Sequence, residues 1–220
     1  MSIDWNLYLS RYQTTHGGFF FGADEEDCDG QLVLPQEGKA PLLVTLDEDP
    51  AGRYTTRALK ARTTVQLNDS YELIIHNRSL TGKGVKGLMN LAGRETDFGY
   101  PEATRGRLII TNNKPFTKLV LGDLELRNAL IARTDDYLMV RPSPGRTGWH
   151  VVEVGAPRFE GSFTGYDGWT NQAMRDEFTY MDETERESLR QQGSEHFDAQ
   201  LDGLLELLRA AQRAVTTWNL

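Results

Sequence analysis

The 220-residue chain predicts an α+β fold: a mainly antiparallel sheet with a helical insertion and a long C-terminal helix packed on it. Three observations carry that expectation. Short β-branched and apolar runs separated by turn residues recur between residues 31 and 154. Between residues 114 and 133 the apolar spacing changes from two to the three and four of a helix. From Phe197 to Trp218 apolar residues follow one another in steps of four and three.

Trp5, Tyr8, Leu9 and Tyr12 recur at helical spacing, so residues 3 to 12 are expected to form a short amphipathic helix. Phe19 to Phe21 then read as a strand that delivers aromatics to a core or a partner, followed by an acidic turn around Cys28. Gln31 to Pro35 and Ala40 to Leu46 read as paired strands. The polar run Asp47 to Gly52 is a breaker, and it marks the boundary between an acidic lead, residues 1–52, and a central core, residues 53–160. Residues 161–220 form a C-terminal helical segment, and the three parts are expected to make one domain.

Leu59, Ala61, Thr63, Val65 and Leu67 alternate with Lys60, Arg62, Thr64 and Gln66, the period of a half-buried strand with a cationic outer face. Asn68-Asp69-Ser70 is expected to turn the chain into Tyr71 to Asn77 as the second strand of the same hairpin. A short apolar helix over 85–92 and a strand over 105–112 follow. Lys114 to Arg133 is a helical region interrupted near Gly122, with Asp123 as the cap of its second half. Tyr137 to Arg141 and Trp149 to Val154 are strands joined by a proline- and glycine-rich turn. Thr184 and Glu187 have capping-box spacing ahead of the last helix. Its seam of Phe197, Leu201, Leu204, Leu208, Ala211, Val215 and Trp218 suits either a coiled-coil homodimer or packing along the sheet. Leu205 and Leu207 widen the stripe and favour the second.

Hydrophobic residues at 39% and charged residues at 25% are those of a folding globular chain. The N-terminus lacks a basic and apolar leader, and no apolar run approaches the ~18 residues of a bilayer span, so the expected location is cytoplasmic, without membrane insertion. One cysteine permits no intrachain disulfide and no cysteine-rich zinc site. The net charge of −8 argues against general nucleic-acid binding, yet it is unevenly distributed. Residues 1–50 carry 2 basic and 10 acidic side chains, residues 51–133 carry 14 and 7, and residues 134–220 carry 8 and 15. The basic middle therefore either faces an anionic partner or is neutralised within the fold by the acidic ends, and the internal reading is the simpler.

Motifs with catalytic associations fail on context. Gly82 to Gly87 matches G-x-G-x-x-G, but Gly93 ends the following helix after about two turns and no acid follows the next strand. Gly161 to Gly165 has Phe163 where a nucleophile elbow needs serine. His16, His76, His150 and His196 have no zinc-binding spacing, and His76 and His150 sit in strands as structural histidines do. A calcium-loop register starting at Glu25 reaches Gln36 where a bidentate carboxylate is required. Cys28 among acids is a poor nucleophile. No catalytic residue, metal site or cofactor is therefore assigned. The candidate binding face is basic: Arg57, Lys60 and Arg62 on one strand, with Arg105 and Arg107 on another.

Residues 55–141 resemble a bacterial domain-of-unknown-function family in Thr55-Thr56 before Arg57 and Arg62, Asn77-Arg78-Ser79-Leu80, Gly99-Tyr100-Pro101-Glu102, Ile109-Ile110 with Asn112, and Leu126-Arg127. Ala103-Thr104 stand where that pattern continues with an aromatic and an acid. The resemblance implies a soluble or membrane-adjacent α+β domain and no catalytic residues. The functional expectation is a non-catalytic interaction or regulatory protein, such as an immunity-like inhibitor, meeting a protein partner through charge or a second copy through the heptad helix. The alternatives are a hydrolase or transferase with a site assembled from distant residues, and phosphate or nucleic-acid binding by the basic middle.

Overall fold

A computed structural model of the chain describes residues 5–22, 30–49, 56–77, 98–156 and 180–218. Helix α1 spans Trp5–His16, and strands β1 to β3 span Phe19–Phe21, Gln31–Gln36 and Lys39–Asp49. Strands β4 and β5 span Thr56–Gln66 and Leu73–Asn77; helix α2 (Pro101–Thr104) precedes β6 (Arg107–Thr111). Helices α3 (Lys114–Leu121) and α4 (Leu124–Ala132) are followed by β7 (Tyr137–Pro142), β8 (Trp149–Ala156) and helix α5 (Glu183–Thr217). The strands form one eight-stranded sheet in the order β1-β2-β3-β4-β8-β7-β5-β6, every adjacent pair antiparallel. The α+β expectation, with its helical insertion and its C-terminal helix packed on the sheet, is met.

Alternation along the strands decides the layering. Leu32, Leu34, Leu42, Val44, Leu59, Ala61, Leu73, Ile75, Leu138, Val140, Val152 and Val154 are buried on one face, in a single core with Phe197, Leu201, Leu204 and Leu208 of α5. The 35 residues of α5 extend roughly 50 Å at 1.5 Å per residue, and their second half lies along that face. Leu205, Leu207, Ala211 and Val215 are buried there too, so the heptad seam offered for a homodimer is occupied by the chain's own sheet, and only Trp218 leaves it, 45% exposed. Tyr8, Leu9 and Tyr12 add α1 to the same layer, where the Tyr12 hydroxyl donates to Asp202 Oδ1 at 2.6 Å.

Several boundaries differ from expectation. Asp47 to Asp49 do not break the chain: they continue β3, in register with Ala58, Arg57 and Thr56. Strands β4 and β5 are not a hairpin, because the β7–β8 hairpin inserts between them. Leu138, Val140, Val152 and Val154 of the inserted hairpin are buried in the core between those of β4 and β5. The insertion is fastened where Leu67 N–H donates to Gly148 O at 2.9 Å and Tyr71 N–H donates to His150 Nε2 at 3.0 Å. The capping box of α5 is formed by Asp182 and Glu185, two residues ahead of the expected pair. Asp123 caps α4 as expected, accepting from Leu126 N–H at 2.9 Å, and Asn113 does the same for α3 through Phe116 N–H at 3.0 Å. The helix expected over 85–92, the two glycine motifs and Cys28 lie outside the described residues.

Candidate functional site: a cationic strip on the second sheet face

The helices α1, α4 and α5 share one side of the sheet, so residues one step out of phase with the core define a second face. On β4 these are Lys60, Arg62, Thr64 and Gln66, all less buried than their apolar neighbours. The register then selects what stands beside them. Arg62 is opposite Glu153 of β8, and Glu153 is opposite Met139 of β7. Lys60 is opposite Gly155, which faces Tyr137, while Val151 stands between Thr64 and Arg141.

Glu153 is the centre of this strip, its side chain only 8% exposed and the one acid of β8. Both carboxylate oxygens are engaged: Oε1 accepts from the Tyr137 hydroxyl at 2.9 Å, and Oε2 lies 3.7 Å from Arg141 Nη2. Tyr137 reaches it by lying across Gly155, where any Cβ would overlap the ring. That close approach explains a glycine in a central strand. Arg62 is left in a different condition. Its Nε is shielded from solvent and has no hydrogen-bond partner, although a desolvated guanidinium N–H calls for an acceptor. Arg62 and Arg141 thus stand beside one carboxylate whose oxygens are already committed.

The five basic residues expected to share a face do not. Lys60 and Arg62 do lie on the outward side of β4. Arg57 is also on β4, opposite Glu48, with its side chain outside the described set. Arg105 is not in a strand; it is exposed in the turn that ends α2. Arg107 opens β6 in the inward phase and is 4% exposed, its guanidinium turned to the main-chain oxygens of Leu130, Arg133 and Asp136. The strand expected from residue 105 begins only at 107, so Arg105 lies outside it, and Arg107 shares the phase of Ile109, whose partner Ile75 is in the core. Arg141, Tyr137 and Glu153 complete the strip in their place. Their one sequence signal was the lone acid Glu153 within Trp149 to Ala156.

Several other cations among the described residues are paired within the fold. Arg127 meets Glu102 at 3.8 Å and covers the Tyr100 ring at 4.3 Å, and Arg133 pairs with the buried Asp136. Arg213 of the acidic tail holds Asp123 and Glu125 of the basic middle. This contact runs opposite to the expected direction, a tail cation serving acids of the middle.

A cleft of about 450 Å³ between the 68–70 and 142–148 turns joins His150 to Asp69, with Ser70, Arg146 and Trp149 in its walls. It does not make His150 a base. The ring is 2% exposed and its Nε2 is the acceptor for Tyr71 N–H, while burial pushes its pKa below the ordinary value. Tyr71 in turn extends the contact inward, its hydroxyl 2.8 Å from Thr117 Oγ1. Among the described residues no three His, Cys, Asp or Glu side chains are grouped to hold a metal ion, and no helix is long and apolar enough to cross a membrane. Comparison of the chain with protein-family models, curated proteins and solved structures gives no match.

Proposed function

We propose that this chain is a non-catalytic interaction protein that recognises an acidic segment of a protein partner on the second face of its sheet. The observation that carries the reading is Arg62 Nε, enclosed without an acceptor beside a Glu153 already engaged by Tyr137 and Arg141. A carboxylate arriving between Arg62 and Arg141 supplies that acceptor once the Arg62 side chain turns its enclosed Nε outward, and it forms the charge-assisted, bidentate contact for which a guanidinium is shaped. Arg141, with a side chain 52% exposed, is available to share it. Single-stranded nucleic acid is less well served. It needs several aromatic stacking platforms, and the β4 positions Lys60 to Gln66 provide none.

The test is titration with an oligo-glutamate peptide at low ionic strength, followed by calorimetry. Binding is expected to weaken with salt and to fall about tenfold in Arg62→Gln, while Arg105→Gln, away from the strip, leaves it unchanged. Equal losses from both substitutions, or no uptake by the wild-type chain, would sink the proposal. A single-stranded oligonucleotide that binds more tightly through Arg62 would replace it with the polyanion reading.

A further inference from the structure

We propose that β1 is a self-association edge, through which two copies of this chain join their sheets by antiparallel β1–β1 pairing about Phe20. Strand β1 is the last of its sheet and pairs with β2 alone among the described residues. Its orientation is locked from inside. Phe20 is opposite Leu32 and packs on the core, and its ring fills the space beside Gly22 and Gly30, where a Cβ would overlap it. Phe19 and Phe21 are consequently held outward, 60% and 62% exposed.

Edges of sheets are normally kept very short, as β1 is at three residues, or protected by a lysine, a proline, a bulge or a covering element, because their free N–H and C=O groups template further pairing. The segment Gly18 to Gly22 has none of these residues, only three phenylalanines between glycines. A second copy fits this edge by symmetry. With Phe20 opposite the second copy's Phe20, Phe19 falls opposite Phe21 and Phe21 opposite Phe19, so both outward aromatics of each copy meet aromatics across the new ladder. Aromatic cross-strand pairs are among the more favourable ones, and any other strand would have to bring its own apolar residues at the same alternation.

Size sets the strength. At these exposures two phenylalanines from each copy bring roughly 500 Å² of apolar surface to the contact, well below the ~1,200 Å² at which stable interfaces begin. The dimer is therefore weak and reversible, and the net charge of −8 on each copy opposes it at low salt.

Sedimentation equilibrium of the full chain, at about 0.2 M salt and from about 10 µM to 1 mM, reads the association directly. The weight-average mass is expected to rise from 24.9 kDa toward twice that value. The double variant Phe19→Lys, Phe21→Lys should remain at the monomer mass with an unchanged circular dichroism spectrum, since both side chains point outward. Mixing it with Phe19→Glu, Phe21→Glu should restore association, because antiparallel pairing sets position 19 against position 21. A wild-type chain that stays monomeric throughout, or a dimer untouched by the lysine pair, overturns the proposal.

Discussion

Arg107 Nη1 donates to the main-chain oxygen of Asp136 at 2.9 Å, linking the start of β6 to the start of β7 from inside the protein. The same guanidinium reaches Leu130 O at 2.7 Å and Arg133 O at 2.6 Å, so it closes the C-terminal end of α4. The last carbonyls of a helix lack intrahelical donors, and a cation there also meets the negative end of the helix dipole. Burial draws the Arg107 pKa down while Asp136 and Asp135 hold it up, and the group stays charged.

Arg107→Ala should therefore lose about 3 kcal/mol of stability, the consequence of a vacated buried site and three stranded carbonyls. Arg107→Lys keeps the charge but cannot span three acceptors, and a loss of about 2 kcal/mol is expected. Urea midpoints measure both. Losses within about 0.5 kcal/mol of zero would mean that the helix end is satisfied by other groups.

Asp123 separates charge from capping. Burial acts to raise its pKa, but the hydrogen bond from Arg213 and the Leu126 N–H outweigh it, and the group sits below the ordinary carboxylate value. A depressed carboxyl pKa contributes stability that is present above the unfolded value, about 3.9, and is lost as pH falls through the folded value. Asp123→Asn keeps the cap to Leu126, since asparagine caps equally well, and removes the ion pair. The variant should be less stable by about 0.5–1 kcal/mol at neutral pH, Arg213 being 38% exposed, and the gap should close on acidification below the ordinary carboxylate range. A gap that persists undiminished at low pH would assign the loss to packing.

His150 gives a second pH dependence in a different window. Burial pushes its pKa below the usual value, against a smaller opposing contribution from the Gly148 backbone, so the folded state binds fewer protons than the unfolded one between the two pKa values. Its contribution is complete above about pH 6.5 and declines as pH falls from there through the folded value. Protonation also converts the acceptor of Tyr71 N–H into a donor. Denaturation series between about pH 8 and pH 5 should show this slope in the wild-type chain and a flatter one in His150→Gln. Identical slopes would remove His150 from that role.

Much of the architecture was legible in local pattern. The alternation from Leu59 to Leu67 foretold which side of β4 is buried, and the spacing from Phe197 to Val215 foretold a helix with one wide apolar face. The seam's own ambiguity, dimer or sheet, was resolved by Leu205 and Leu207, both fully buried. The candidate strip was legible only in part. Lys60 and Arg62 were visible because alternation operates within a strand, whereas the face of Arg107 follows from the pairing of Ile109 with the core residue Ile75 on another strand.

The sequence by itself determined the α+β class, the elements along most of the described chain, and the caps at Asp123 and Glu185's helix in all but position, because these depend on residues within a few places of one another. It also placed a short strand at Phe19 to Phe21. Only the tertiary structure decided that β8 and β7 lie between β4 and β5, and hence that Glu153 stands beside Arg62 while Tyr137 lies on Gly155. Strand order and register are settled by which faces bury the most apolar surface together, a property of the assembled sheet that no single strand contains.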